Sequence, residues 1–115
     1  MGTAILIQRK GGISLDDWRA HVAADPQLRL RTDPYFAVNP HTGASIRLPL
    51  GEADCEFEDS GEWVPFLRWR RGSLVTEWVP EHEKPRNPAR NKLVQVARSF
   101  QARLGTDAGD EELGW

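Results

Sequence analysis

The chain has 115 residues, of which 39% are hydrophobic and 28% charged, a composition typical of one soluble globular domain. Its formal net charge of −2 at pH 7 argues against a general nucleic-acid-binding domain, because such domains are usually basic. The single cysteine, Cys55, excludes an internal disulfide, and the apolar run over residues 4–7 is too short for a signal peptide or a membrane span. We therefore expect a cytoplasmic protein.

The first half of the chain predicts a strand, a helix and three further strands. Residues 3–8, which are mostly β-branched and aliphatic, predict a strand, which Gly11-Gly12 ends. Ser14 is a favourable N-cap for a helix whose apolar residues at 15, 18 and 22 share one face, and Asp25-Pro26 ends that helix. Alternating residues then predict strands over 28–31, 35–38 and 44–50, with a turn-rich loop over 39–43.

The second half predicts three more strands and a second helix. The strands lie in the acidic segment that begins at Asp54, in the tryptophan- and arginine-rich segment that follows it, and over residues 74–79. Asn87 and Pro88 are typical of a helix start, and the apolar spacing that follows predicts a helix from residue 88 to 104, ended by Gly105.

These elements predict an α+β fold, an antiparallel β-meander sheet of five to seven strands with an N-terminal helix and a C-terminal helix. Residues 1–105 form a single predicted domain. Residues 106–115 form a predicted acidic C-terminal tail, in which Leu113 and Trp115 dock as a short edge strand. The tail residues expected to stay solvated are Asp107, Asp110, Glu111 and Glu112.

A register argument selects the candidate binding face. If Ser60-Gly61 is the loop of the acidic hairpin, Glu58 lies opposite Trp63, and the carboxylates share one face with the tryptophans. Phe57 and Phe66 then face the core, as does Cys55, which we expect to be a small buried hydrophobe. The alternative is that the second helix covers the tryptophans and that the acids are merely solvated. The predicted partner-binding residues are Glu56, Glu58, Asp59, Trp63 and Trp69.

Other kinds of site have weaker support in the sequence. The run from Arg68 to Arg71 could stack on single-stranded nucleic acid, but the nearby carboxylates would repel phosphate. Alternating Asp54, Glu56 and Glu58 could hold a hard cation, although surface strands often carry such acids. The three histidines have no ligand or nucleophile at motif spacing. We therefore predict a non-enzymatic protein with no catalytic residue, no metal and no cofactor.

Two segments carry a family resemblance. The pattern Arg9-Lys-Gly-Gly-Ile-Ser-Leu-Asp-Asp-Trp18, followed by Asp25-Pro-Gln-Leu28, and the C-terminal Asp107-Ala-Gly-Asp-Glu-Glu112 resemble small bacterial proteins. The small α+β format with an acidic patch is similar to that of immunity proteins of bacterial toxin systems. That resemblance implies stoichiometric neutralisation of a toxin.

The charge pattern gives this interpretation a separate physical basis. Toxins that cut nucleic acid have basic clefts, and a carboxylate-rimmed aromatic strip is complementary to such a cleft. We therefore expect a basic protein partner, and neither a membrane nor a nucleic acid. The alternative is a domain that binds a small molecule or single-stranded nucleic acid through the tryptophan- and arginine-rich strand.

Overall fold

The structure is a computed structural model that describes residues 3–32, 34–48, 51–107 and 113–115. In these ranges it has two α-helices, α1 (Leu15–Ala24) and α2 (Pro88–Ser99), and a short 3₁₀ helix (Pro80–Glu83). The strands are β1 (Ala4–Gln8), β2 (Leu28–Leu30), β3 (Tyr35–Val38), β4 (Ser45–Leu48), β5 (Cys55–Asp59), β6 (Glu62–Pro65), β7 (Arg68–Arg70), β8 (Ser73–Glu77) and β9 (Arg103–Thr106). The predicted α+β class and both predicted helices are confirmed.

The strands form three antiparallel sheets, with the orders β7-β8-β1-β9, β2-β5-β6 and β3-β4. The sequence predicted one meander in which chain neighbours pair. Instead, β1 lies between β8 and β9, and its alternate residues Ile5 and Ile7 are fully buried. The strand itself was predicted, but its central position leaves no local pattern in the sequence, because its partners are distant in the chain.

The predicted tryptophan- and arginine-rich strand is interrupted at Phe66 and Leu67. Phe66 donates its backbone N–H to the carbonyl of Cys55, and Cys55 donates its own N–H to the carbonyl of Leu67, at 3.0 and 2.9 Å. Two residues therefore oppose one, as in a β-bulge, and such a bulge bends the strand. Both side chains are buried, and the chain continues into β7 of a different sheet.

The main core lies between the sheets and the two helices. Trp18 on α1 is fully buried, and its indole N–H donates to the carbonyl of Ala53 at 2.9 Å. Phe57 and Phe66 are both buried, as predicted, with ring centroids 5.1 Å apart. Burial of the indole with its N–H bonded fixes α1 against the loop that precedes β5.

Helix α2 ends earlier than predicted, at Ser99 rather than at residue 104. Gln101 adopts a positive φ of 52°. Its N–H donates to the carbonyl of Arg98, and that of Ala102 donates to the carbonyl of Ala97, at 3.1 and 2.8 Å. These two bonds form a Schellman motif without glycine. Leu104 reaches the core from β9, so its spacing fitted a helix only by coincidence.

The last described residues pack on the domain. Leu113 donates its N–H to the carbonyl of Leu104 on the edge strand β9 at 2.7 Å, and residues 113–115 are not themselves in a strand. The rest of the predicted edge segment lies outside the described residues. Trp115 packs beside His82 and Arg90. Asp107 is exposed, as expected, although it accepts the N–H of Ala4 at 2.9 Å. Asp110, Glu111 and Glu112 lie outside the described residues.

Candidate functional site

The sheet β2-β5-β6 carries the predicted binding residues near its hairpin turn. Ser60 and Gly61 have φ values of 54° and 86°, as a two-residue type I′ turn requires. The resulting register places Glu58 opposite Trp63 and Phe57 opposite Val64, so the predicted pairing is confirmed. Phe57 points into the core, and Glu56, Glu58 and Trp63 lie on what we call the outer face, together with Arg29, the β2 partner of Glu56.

Glu56 is paired with arginines of its own chain rather than available to a partner. Its two carboxylate oxygens accept from Arg29 Nε at 2.8 Å and from Arg31 Nη1 at 2.9 Å, and only 10% of its side chain is exposed. The sequence predicted that Glu56 is an exposed rim charge, and that prediction is wrong. Alternation places the carboxylate correctly, but Arg29 lies on β2 and Arg31 directly after it, about 25 residues earlier in the chain.

Removal of this carboxylate should therefore cost stability. We expect Glu56→Ala to lower the free energy of unfolding by about 1–3 kcal/mol, because Arg31 would lose its charged acceptor in a part-buried site. Glu58→Ala is the matched control, since Glu58 is exposed two residues along the same strand and should change stability by less than about 0.5 kcal/mol. Urea denaturation of both variants measures the difference. Equal effects would contradict the structural role of Glu56.

Asp54 is neutralised in the same way. One of its oxygens accepts from Arg70 Nη1 at 3.0 Å, the other accepts the N–H of Gly51 at 3.2 Å, and 1% of its side chain is exposed. Two of the six acids that run from Glu52 to Glu62 are thus engaged inside the molecule. The negative charge that this segment offers at the surface therefore lies on the other four acids.

Trp63 lies half-buried on the outer face. The guanidinium carbon of Arg29 is 4.3 Å from its ring centroid, a cation–π contact that covers one side of the indole. Arg29 thus bridges Glu56 and Trp63, and its own side chain is 51% exposed. The pair presents a tryptophan and an arginine together at the surface, the two side chains that most often anchor protein interfaces.

Trp69 is not on the outer face. It lies on β7 in the four-stranded sheet, opposite the fully buried Leu74, and packs against the core. Its indole N–H donates to the carbonyl of Ile13 at 2.8 Å. The expected continuation of the aromatic strip from Trp63 to Trp69 is therefore wrong, because the bulge at Phe66 and Leu67 separates the two residues into different sheets.

Three carboxylates beside the hairpin loop form what we call the acidic turn, Glu58, Asp59 and Glu62. Glu58 and Glu62 are exposed and Asp59 is half-buried. Within the described ranges none of the three has an ion pair; Asp59 accepts only the hydroxyl of its neighbour Ser60, at 3.3 Å. The acidic turn therefore holds the uncompensated negative charge at one end of the sheet.

A second polar cluster lies between the helices and was not predicted. Lys92 on α2 donates to Asp25 and to Gln95, both at 2.9 Å, and its side chain is only 5% exposed. His21 lies between the rings of Trp18 and Phe100, with Nε2 buried and without a hydrogen-bond partner. The sequence contained a signal for the burial of Lys92, because it lies four residues before Val96 and therefore on the apolar side of α2.

Burial and neighbouring groups shift the pKa values of two residues in this cluster, His21 and Asp25. Burial lowers the pKa of His21, the opposing effect of Asp25 being smaller, so the imidazole is held neutral. Burial alone would raise the pKa of Asp25, but the N–H of Gln27 and the ammonium of Lys92 outweigh it, and the net pKa is lowered. The ammonium of Lys92 and the carboxylate of Asp25 therefore form a salt bridge that links the C-cap of α1 to α2.

The thiol of Cys55 is buried, and the possible metal ligands among the described residues lie apart. Burial raises the pKa of the Cys55 thiol to about 12, so it is protonated and a poor nucleophile. No three or more of the described histidine, cysteine and acidic residues come together as a metal site would require. Nor does any helix in the described ranges have the length and apolar character needed to cross a membrane.

No protein-family model, no curated protein and no solved structure matches this chain.

Proposed function

We propose that this chain is a non-enzymatic protein-binding domain that contacts a basic protein partner through the acidic turn and the adjacent Trp63. The observation that supports this proposal is how the six acids from Glu52 to Glu62 are divided. Asp54 and Glu56 are paired internally, and Glu52 is exposed before β5. Glu58, Asp59 and Glu62 keep their charge together at the hairpin turn. Most of the charge available to a partner therefore lies at one end of the three-stranded sheet.

This end combines the two properties that a specific interface needs. Exposed carboxylates attract a basic surface over roughly a Debye length, about 8 Å at physiological salt, and speed the encounter. Trp63 and the exposed guanidinium of Arg29 supply a contact that loses water on binding and slows dissociation. Arg29 is held by Glu56 before a partner arrives, so little side-chain freedom is lost on binding.

The resemblance to toxin-immunity proteins gives the finer form of the proposal. A domain of this kind would act in the cytoplasm and block a toxin by stoichiometric association. A toxin domain with a basic nucleic-acid cleft would match the acidic turn in charge. Of the predicted contacts Glu56, Glu58, Asp59, Trp63 and Trp69, we retain Glu58, Asp59 and Trp63, and we add Arg29 and Glu62.

The nucleic-acid alternative has less support. Its stacking platform was to be the strand that contains Trp69 and the neighbouring arginines. The ring of Trp69 packs on the core and its N–H is bonded to Ile13, while one side of Trp63 is covered by Arg29. Base stacking needs an accessible aromatic face. We therefore favour a protein partner.

The decisive experiment is capture of a partner from lysate of the source organism by the tagged chain, followed by binding kinetics on charge-reversal variants. We expect Glu58→Lys with Glu62→Lys to reduce the association rate about tenfold or more and to flatten its dependence on salt, because these charges act on the encounter. Glu77→Lys with Glu83→Lys is the matched control. It changes the net charge equally at exposed positions outside the three-stranded sheet and should associate normally.

A third variant separates the effect of charge on association from the effect of direct contact on dissociation. Trp63→Ala should leave the association rate unchanged and speed dissociation by the equivalent of about 2 kcal/mol. Equal losses in the charge variant and its control would contradict a local role for the acidic turn. Recovery of single-stranded nucleic acid instead of a protein, with binding weakened by Arg68→Ala, would favour the alternative.

A further inference from the structure

Exposed large hydrophobic residues of the described ranges concentrate on the hairpin β3-β4. The large hydrophobic residues that are more than a third exposed lie on it or at the end of β2 immediately before it. They are Leu30, Phe36, Val38, Ile46 and Leu48. Phe36 and Val38 are 67% and 65% exposed. In the described ranges β3 and β4 pair only with each other, and a two-stranded hairpin alone is at best marginally stable. We therefore expect another protein surface to pack on this hairpin.

The register shows which backbone groups of β3 remain available. Asn39 donates its N–H to the carbonyl of Ala44 at 2.8 Å, and the pairing continues as Val38 with Ser45 and Ala37 with Ile46. In an antiparallel pair, bonded and non-bonded positions alternate. Ala37 therefore bonds to β4, while the N–H and C=O groups of Phe36 and Val38 point away from β4 along the open edge.

We propose that this edge binds the same edge of a second copy, so that two hairpins form one four-stranded sheet around a two-fold axis at Ala37. Antiparallel pairing about Ala37 brings Phe36 of each copy opposite Val38 of the other. The outward N–H and C=O groups of both residues are then satisfied in both copies. The two Ala37 residues face each other at a non-bonded position, where Cα atoms approach to about 4.5 Å and a small side chain fits.

The side chains support the same arrangement. Phe36 and Val38 lie on one face of β3, so the dimer would gather two phenylalanines and two valines into one cluster. Aromatic and β-branched side chains directly opposite each other are favourable cross-strand pairs. The interface is isologous, since each copy supplies the same strand in the same register. A basic foreign partner is disfavoured here, because β3 carries no charge and Arg47 lies on β4.

Charge distinguishes this edge from the edge of β4. Pairing of β4 with its own copy about Ile46 would place the two Arg47 residues diagonally, about 7–8 Å apart on one face. Pairing through β3 instead keeps the two β4 strands three strand spacings apart, about 14 Å, which is beyond the Debye length. The net charge of −2 adds little repulsion between whole copies.

The proposed dimer leaves the acidic turn free. β2 runs antiparallel to β5, with Leu30 paired to Cys55 at the start of β5. The hairpin therefore leaves the sheet at the opposite end from the turn between β5 and β6. Two acidic turns would remain accessible at the far ends of the dimer. The inference does not depend on the proposed function, because self-association can be measured without any other protein.

The test has two parts, of which the first is the mass in solution. Light scattering and sedimentation of the purified chain, from nanomolar to high micromolar concentration, should give a dimer. Ala37→Glu places two carboxylates on the axis and should raise the dissociation constant at least about tenfold. Ile46→Glu is the matched control, since it puts the same charge on the cross-strand neighbour of Ala37, and it should remain dimeric. Circular dichroism and thermal melting show that each variant is folded.

The second part tests the register. Ala37→Cys should form an intermolecular disulfide under mild oxidation, because the Cα separation across the axis lies within the range of about 4.4–6.8 Å that a disulfide needs. Cys55 is fully buried and does not compete. Ile46→Cys should stay monomeric on a non-reducing gel. A monomeric parent chain at every concentration, or equal cross-linking of the two variants, would overturn the proposal.

Discussion

Replacement of Trp18 by alanine is expected to lower the free energy of unfolding by about 3–5 kcal/mol, the range typical of large-to-small changes at fully buried aromatic positions. The indole is completely buried, and its N–H donates to the buried carbonyl of Ala53 at 2.9 Å. Alanine would leave a cavity beneath α1 and an unsatisfied buried carbonyl. Such a loss is a large share of the total stability of a small domain.

Two variants separate the contributions to this effect. Trp18→Phe keeps most of the apolar volume and removes the N–H donor, so it should cost less than Trp18→Ala. Trp63→Ala removes a half-buried tryptophan on the outer face and should cost less again. Urea unfolding followed by far-ultraviolet circular dichroism gives all three values. If Trp18→Ala were no more destabilising than Trp63→Ala, the placement of α1 on the core would be wrong.

The second large loss of stability is expected at the salt bridge between Lys92 on α2 and Asp25, the C-cap of α1. Lys92→Met should destabilise the protein by about 3 kcal/mol or more, because it leaves the carboxylate of Asp25, whose side chain is 12% exposed, without its ammonium partner. The matched double variant, Lys92→Met with Asp25→Asn, removes both charges and keeps an oxygen that can accept the N–H of Gln27. It should be more stable than Lys92→Met alone.

The dependence of stability on pH gives an independent reading of the same pair. The pKa of Asp25 is lowered on folding from its usual value of 3.8, so its contribution is complete above that value and is lost as the pH falls below it. In Lys92→Met this lowering is reduced, and the loss of stability on the acid side should become shallower. Unchanged acid-side behaviour, or a double variant as unstable as the single one, would contradict a coupled pair.

Local patterns predicted much of the fold correctly. The N-caps Ser14 and Asn87 accept the backbone N–H groups of Asp17 and Arg90, as their positions indicate. The turn at Ser60-Gly61 fixed the register of β5 and β6, because the side-chain alternation of a hairpin follows from its loop. These features depend on residues close in sequence, which is why one sequence was sufficient to predict them.

The missed features depend on residues that are distant in sequence. The arginines that neutralise Glu56 lie on β2 and directly after it. The position of Trp69 depends on a bulge in which Cys55 bonds both Phe66 and Leu67. The end of α2 was missed for a different reason, because Gln101 adopts the left-handed conformation that glycine usually supplies. The candidate site was therefore located on the correct hairpin, but its charge balance was not predictable.

The central position of β1 has a consequence for how the chain folds. Ile5 pairs with Thr76 on one side and with Thr106 on the other, so the outer pair closes a loop of about 100 residues. Closure of such loops costs entropy before the contacts compensate for it, and proteins rich in distant contacts fold slowly. During synthesis β1 is made about 100 residues before β9. The buried isoleucines of β1 therefore stay exposed or transiently covered until β9 has emerged from the ribosome.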